Sequence, residues 1–284
     1  MPPPGSGSRV LFRIGPIEVA VHASWLIIFF ALVLVARSEI APQIVPRDST
    51  WILPLSIGIA LLFYAFVLAH ELSHAFMARA HGLDARRITL FVFGGVAQIG
   101  AEAEKPADEF RIAIIGPLTS LLIAGVLAAV SLSLHPGFDP ELDPSLRILP
   151  GVWGVLAVVN LALAVFNLVP AFPLDGGRVL RAGLWKGLRD RAKATRWSAT
   201  LGKAFAFALI GAGGAIFVLG VSSGSNADAW PGLWYVLVGY FLFNVAGSAG
   251  RLEGGAEPRK GPPEQGSDER TRAGETPRRY RWMR

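Results

Sequence analysis

The chain has 284 residues, 52% of them hydrophobic and 17% charged, with a formal net charge of +6 and no cysteine. A charged fraction well below the roughly 25% of soluble domains, with several apolar runs near the roughly 20 residues that cross hydrocarbon, excludes an ordinary soluble domain and points to a helical membrane protein. The missing cysteine excludes disulfides, thiolate metal sites and cysteine nucleophiles, and the absence of a basic helix interleaved with aromatics argues against nucleic acid as the partner of the positive charge.

In chain order, residues 1–16, opening MPPPGSGS, have the composition of a flexible N-terminus. A first crossing is expected over about residues 17–36, behind Arg9 and Arg13. It has the outline of a signal sequence, but it is long enough to span and lacks a small-x-small cleavage site, so an uncleaved helix is expected. The second crossing covers about residues 53–79. Residues 86–100, RRITLFVFGGVAQIG, place β-branched and aromatic residues around Gly94-Gly95 and predict a hairpin at the membrane edge. A third crossing follows over about 110–134, with Pro117 expected to kink it. The acidic, proline-rich loop 135–147, with a solvated His135, leads to a fourth crossing over about 148–169. Crossings five and six are expected near 203–221 and 230–249, with Trp230, Trp234 and Tyr235 as interfacial anchors, and residues 251–284 read as a disordered cytoplasmic tail. The fold expected is an all-α polytopic membrane protein: a six-transmembrane-helix bundle spanning residues 17–250, with a small membrane-associated β-hairpin after the second helix.

Loop charge orients this bundle. Residues 174–203 hold eight Lys/Arg against Asp175 and Asp190, whereas 135–147 hold one Arg against three acids. Nine more Lys/Arg lie in the tail. Basic residues stay on the cytoplasmic side, so both termini and the inner ends of crossings two and four are expected there. Arg178 and Arg181 are most simply read as part of this bias.

The chemistry lies at the end of the second crossing, in His70-Glu71-Leu72-Ser73-His74. Residues four apart share a helix face, so both imidazoles reach one metal ion. Glu71 is turned about 100° away and can take a proton from a metal-activated water, whose pKa zinc brings to roughly 7. Ionisable groups inside a span cost about 2.5–3.5 kcal/mol each on insertion scales, which argues for a function; the plain alternative is an interfacial cluster bonded to water. His22 reads as interfacial. Zinc requires a third protein ligand and an open position. His81 is seven residues past His74 and Met77 stands where a glycine would extend the motif, so a distant ligand is needed. The best candidate is Asp175, in NLVPAFPLDGG, where Asn167, Pro170, Pro173 and Asp175 are spaced three, three and two. The prolines end a regular helix and Gly176-Gly177 permit a sharp turn. A turn-forming Asp-Gly in an ordinary loop is the plain alternative.

HELSH together with NLVPAFPLDGG resembles the site-2 protease family of intramembrane zinc metalloproteases, and FVFGGVAQ and Gly116-Pro117 extend the likeness over most of residues 10–200. The resemblance implies His70, His74 and Asp175 as ligands of one zinc ion per chain, Glu71 as general base, and Asn167 as a residue that hydrogen-bonds the substrate backbone. It implies regulated intramembrane proteolysis of single-pass membrane proteins in the lipid bilayer, anti-sigma-factor-like ones among them. No PDZ-like insertion or nucleotide-sensing domain is recognised in the sequence. Because a transmembrane helix hides its carbonyls, substrate must unwind, and residues 90–99, with Gly94 and Gly95, are the candidate edge to hold the unwound strand. The competing reading is a non-catalytic metal-binding or metal-transporting membrane protein; crossings three, five and six are too apolar for a transport path. A membrane zinc hydrolase of lipids would keep the same site.

Overall fold

The computed structural model describes residues 7–92, 94–100, 102–134, 148–224 and 226–254. The first six residues, the 135–147 loop with His135, and the tail beyond residue 254 lie outside the described residues.

Among the described residues, six helices are long and apolar enough to cross a membrane. The first is α1 (Trp25–Val35), continued by a π-helical turn (Ala36–Ile40) and a 3-10 turn (Ala41–Gln43). The others are α2 (Ile52–Ala80), α3 (Pro106–Ser133), α4 (Ile148–Asn167), α6 (Arg191–Ser222) and α7 (Asn226–Gly254). The short α5 (Asp175–Leu188) is not one of the crossings. Outward positions such as Ile27, Leu122, Val158 and Phe207 remain well exposed, as expected of helices solvated by lipid. The six-span architecture is therefore borne out. The helix that carries crossing five starts before residue 203, at Arg191, where Asp190 caps α6 by accepting the Lys193 backbone N–H at 2.9 Å.

The β structure is larger than one hairpin. Four strands, β1 (Ser8–Ile14), β2 (Ile17–His22), β3 (Ala85–Phe91) and β4 (Gly94–Ile99), form one sheet in the order β1-β2-β3-β4. The β3–β4 pair is the hairpin expected over residues 86–100. The N-terminal expectation is corrected: residues 8–14 are a strand, not part of a flexible segment, and residues 17–22 belong to the sheet, so the first crossing begins at Trp25. Gly15, at φ +56°, opens the two-residue turn that pairs Ile14 with Ile17. β2 then lies parallel to β3, a pairing that needs a long crossover, which α1 and α2 provide.

The sheet sits against the half of the bundle that carries His70 and His74. Ile17 of β2, and Ile88 and Leu90 of β3, share a buried cluster with Tyr64, Val67, Ala75 and Ala78 of α2 and Ile112 of α3. Burying this apolar face fixes the sheet beside the turn of α2 that carries the two histidines. A second cluster, with Leu127 of α3 and Leu156 of α4, packs the opposite half of α2 through Ile59.

Candidate metal centre

His70 and His74 follow one another up a single face of α2, both almost wholly buried. Each ring is held from behind by α3. The His74 Nδ1–H donates to the Ile112 carbonyl at 2.5 Å, and His70 Nδ1 lies 2.9 Å from Ser120 Oγ. A carbonyl only accepts, so His74 Nδ1 carries a proton, and its Nε2 faces forward, away from α3.

Asp175 arrives from the other side. Asn167 ends α4, the 168–174 segment turns the chain, and Asp175 is the first residue of α5. Gly176 and Gly177 let α5 start directly on this turn. A Cβ at Gly176 would collide with the Leu168 and Val169 carbonyls, and one at Gly177 with the backbone of Ala171 and Phe172. The Asp175 Oδ2 comes to 3.0 Å from His70 Nε2 and 3.2 Å from His74 Nε2, and the two Nε2 atoms are 3.2 Å apart. Burial alone would raise the Asp175 pKa, but its hydrogen bonds to the two imidazoles, with their charges, hold the carboxyl well below the usual carboxylate range.

This triangle fits a zinc ion. Bonds of 2.0–2.1 Å at tetrahedral angles put ligand atoms about 3.3 Å apart, close to the three edges observed. The space in front of the rings is kept open by Gly116 of α3, where a Cβ would strike Nε2 of both histidines. Among the described residues, His70, His74 and Asp175 form a group able to hold one metal ion. His22 is not part of it: its Nδ1 lies 2.8 Å from Ser24 Oγ at the end of β2.

Glu71 leaves α2 toward the sheet. A Cβ on Gly95 would lie 2.5 Å from Glu71 Cγ and 3.1 Å from Cδ, so β4 passes over the glutamate only because residue 95 has no side chain. Gly94, at φ +124°, turns the chain into that strand. Asn167 donates its amide N–H to the Leu163 carbonyl at 3.0 Å, the local helix-end bond.

Several residues around the centre escaped the sequence reading. Ser120, Ile112 and Gly116 act on the histidines from 38 to 50 positions away, and only the Gly116-Pro117 pair had drawn notice. Arg181 is a correction: it is buried and donates from Nε to Glu109 Oε1 at 2.7 Å, with a second contact from Nη2, rather than serving as an exposed topological charge.

Residues 58–142 and 143–209 match the model for peptidase family M50. The chain belongs to this family. Rip3 of Mycobacterium tuberculosis is 38% identical over 83% of the chain and 57% of Rip3. Zinc metalloprotease MJ0392 of Methanocaldococcus jannaschii is 34% identical over 70% of the chain and 52% of that protein. The chain thus spans a little over half the length of these relatives. Among solved structures, the site-2 protease from Methanocaldococcus jannaschii superposes with a TM-score of 0.56 at 30% identity, covering 86% of this chain and 95% of that one. The resemblance to site-2 proteases is borne out, and the M50 match runs through both His70–His74 and Asp175.

Proposed function

We propose that this M50 chain is an intramembrane zinc metalloprotease, hydrolysing peptide bonds in or near transmembrane segments of single-pass membrane proteins, anti-sigma-factor-like ones included. The observation that carries the reading is the buried convergence of His70, His74 and Asp175 beside an edge strand. The names of the relatives and of the family support it. The three side chains would hold the ion, and zinc, when bound, supplies Lewis acidity toward a peptide carbonyl and toward water.

The remaining steps belong to the protein's own groups. Glu71 is the general base: it takes the proton of the attacking water and delivers it to the leaving amide nitrogen as the C–N bond breaks. β4 is an edge strand of the sheet, and an unwound substrate strand would add to that edge. Gly94 and Gly95 would bring that strand past Glu71, and Asn167 would offer its carboxamide to the substrate backbone. The packed helices exclude bulk water, which makes each hydrogen bond to the reacting peptide stronger than in solution. The basic 174–203 segment supports a site near the cytoplasmic face with both termini cytoplasmic.

The test is co-expression with candidate single-pass proteins, comparing wild type with Glu71→Gln and mapping released fragments by mass spectrometry. Cleavage that disappears in Glu71→Gln while zinc content is retained is the expected result. Metal-dependent transport that does not depend on Glu71, with no fragment from any candidate, would sink the proposal in favour of metal handling.

A further inference from the structure

The metal centre draws on three helices, with ligands from α2 and α5 and support behind the imidazoles from α3, and one buried ion pair joins α3 to α5. Glu109 and Ile112 of α3 lie three residues apart, Gly116 is seven beyond Glu109, and Ser120 is eleven beyond it. This i, i+3, i+7, i+11 spacing is a single helix face. From its start to its end that face pairs with Arg181, accepts the His74 Nδ1–H, clears room for both Nε2 atoms and meets His70 Nδ1. Arg181 belongs to α5, whose first residue is Asp175.

We infer that the Glu109–Arg181 pair is the brace that sets α5 in register with α3 and so carries Asp175 to the imidazoles. Arg181 is a positioning residue: it touches neither the ligand atoms nor the reacting peptide, and acts through the placement of Asp175. Its guanidinium gives both Nε–H and Nη2–H to a single oxygen, Glu109 Oε1, and its Cζ lies over the Phe172 ring, 5.8 Å from the centroid. The side chains are only 9% and 2% exposed. A pair this deep is costly to desolvate, and removing one partner leaves a buried charge without compensation. Fork geometry also restrains direction, which a point charge does not. The 168–174 turn that delivers Asp175 contains two prolines and no regular helix. The turn is held locally by the Ala171 N–H on the Val169 carbonyl at 2.7 Å and the Leu174 N–H on the Ala171 carbonyl at 2.9 Å, and Ser198 of α6 donates to the Gly177 carbonyl at 3.2 Å; the pair adds the charged, directional restraint between α5 and α3.

The inference rests on the metal-site reading above, so the experiment separates the two. Purified wild type, Arg181→Gln, Arg181→Lys, the charge swap Glu109→Arg with Arg181→Glu, and Asp175→Asn are each stripped of metal. Zinc affinity is measured by chelator competition, and the visible spectrum is recorded with cobalt as the probe. If wild type and Asp175→Asn bind zinc equally, the metal-site reading itself fails. If they differ, Arg181→Gln is expected to lose ten- to a hundredfold in affinity, the usual cost of losing support behind a ligand, and its cobalt spectrum should move toward that of Asp175→Asn. Arg181→Lys keeps the charge but loses the fork, and is expected to lose at least fivefold. The swap is expected to recover part of the loss. Should the glutamine variant fail to fold, the lysine variant gives the answer: affinity within twofold of wild type in either one, with an unchanged cobalt spectrum, overturns the brace.

Discussion

Gly116 decides whether an ion fits between the rings, although it contributes no donor. A methyl group there would strike Nε2 of both His70 and His74, while the helix itself would gain from the change, since Gly costs about 0.5–1 kcal/mol relative to Ala inside a helix. Gly116→Ala is therefore expected to express and insert normally yet purify with at least tenfold less zinc. Gly125→Ala, on the same helix with nothing within 4 Å, is the control and should keep full zinc content. Equal zinc in the two variants would remove the steric argument. At this scale the sequence was readable only where contacts are local. His70 and His74 announce themselves by an i, i+4 spacing, and Asp175 by the prolines and glycines around it. Ser120, the Ile112 carbonyl and the Glu109–Arg181 pair become neighbours only when α3 and α5 pack, so no spacing rule finds them. Arg181 was misread for a related reason: loop-charge counting treats every arginine alike, whether it faces water or a buried carboxylate.

The strands divide into one pair that had a local signal and one whose signal was masked. β3 and β4 are set off by Gly94-Gly95 and by polar residues on either side. β2 runs with only two residues between it and α1, so its I-E-V-A-V-H alternation merges with the apolar stretch of the helix, and residue hydropathy alone extends the crossing backward. What holds β2 in the sheet is visible in the fold: Glu18 accepts from Arg87 Nη2 at 2.6 Å and Nε at 3.0 Å on β3, and from Arg13 Nη2 at 2.5 Å on β1. The Arg87 guanidinium, followed by that of Arg13, holds the Glu18 carboxyl below its ordinary value. A depressed carboxylate stabilises the fold at any pH above its unfolded pKa of about 4.3, and that contribution fades as pH falls through the lower folded value. Thermal unfolding of the detergent-solubilised protein should thus show a loss of stability below about pH 4.3 that Glu18→Gln lacks, the two proteins differing most at neutral pH. Parallel pH profiles would exclude the ladder as its source. β4 carries a separate prediction. Gly95→Val would push the strand off Glu71 without touching a ligand, so cleavage is expected to fall at least tenfold while zinc content stays at the wild-type level; loss of zinc as well would mean that the strand supports the ligands too.

Across the whole molecule, the six crossings were legible because a bilayer imposes length and apolarity on each one separately, whatever its neighbours do. Orientation is a different kind of property, set by the sum of loop charges, and it gives the molecule its sidedness. The α5–α6 region carries Lys186, Arg189, Arg191, Lys193 and Arg196 within eleven residues, whereas the α6–α7 turn, Ser222 to Asn226, has no basic residue. Positive charge tends to be retained on the cytoplasmic side, so on the orientation proposed above these two regions are expected to face opposite compartments, with the Asp175 end of α5 on the cytoplasmic one. The chain's lack of cysteine makes this directly measurable. Lys186 and Ser223 are both exposed, one in α5 and the other just past the end of α6. A membrane-impermeant thiol reagent added to intact cells should label Ser223→Cys and leave Lys186→Cys untouched, and permeabilised cells should label both. The reverse pattern would put Asp175 and the imidazole pair near the outer face, and substrates would then have to present their unwound segments from outside. The same proposed sidedness predicts how the metal is lost. A chelator confined to the outside should leave cleavage unchanged in intact cells, while a permeant one should abolish it, with activity returning when zinc is restored to permeabilised membranes. Inhibition by the impermeant chelator would mean that water and metal reach His70, His74 and Asp175 from the outer side, against the charge distribution of the loops.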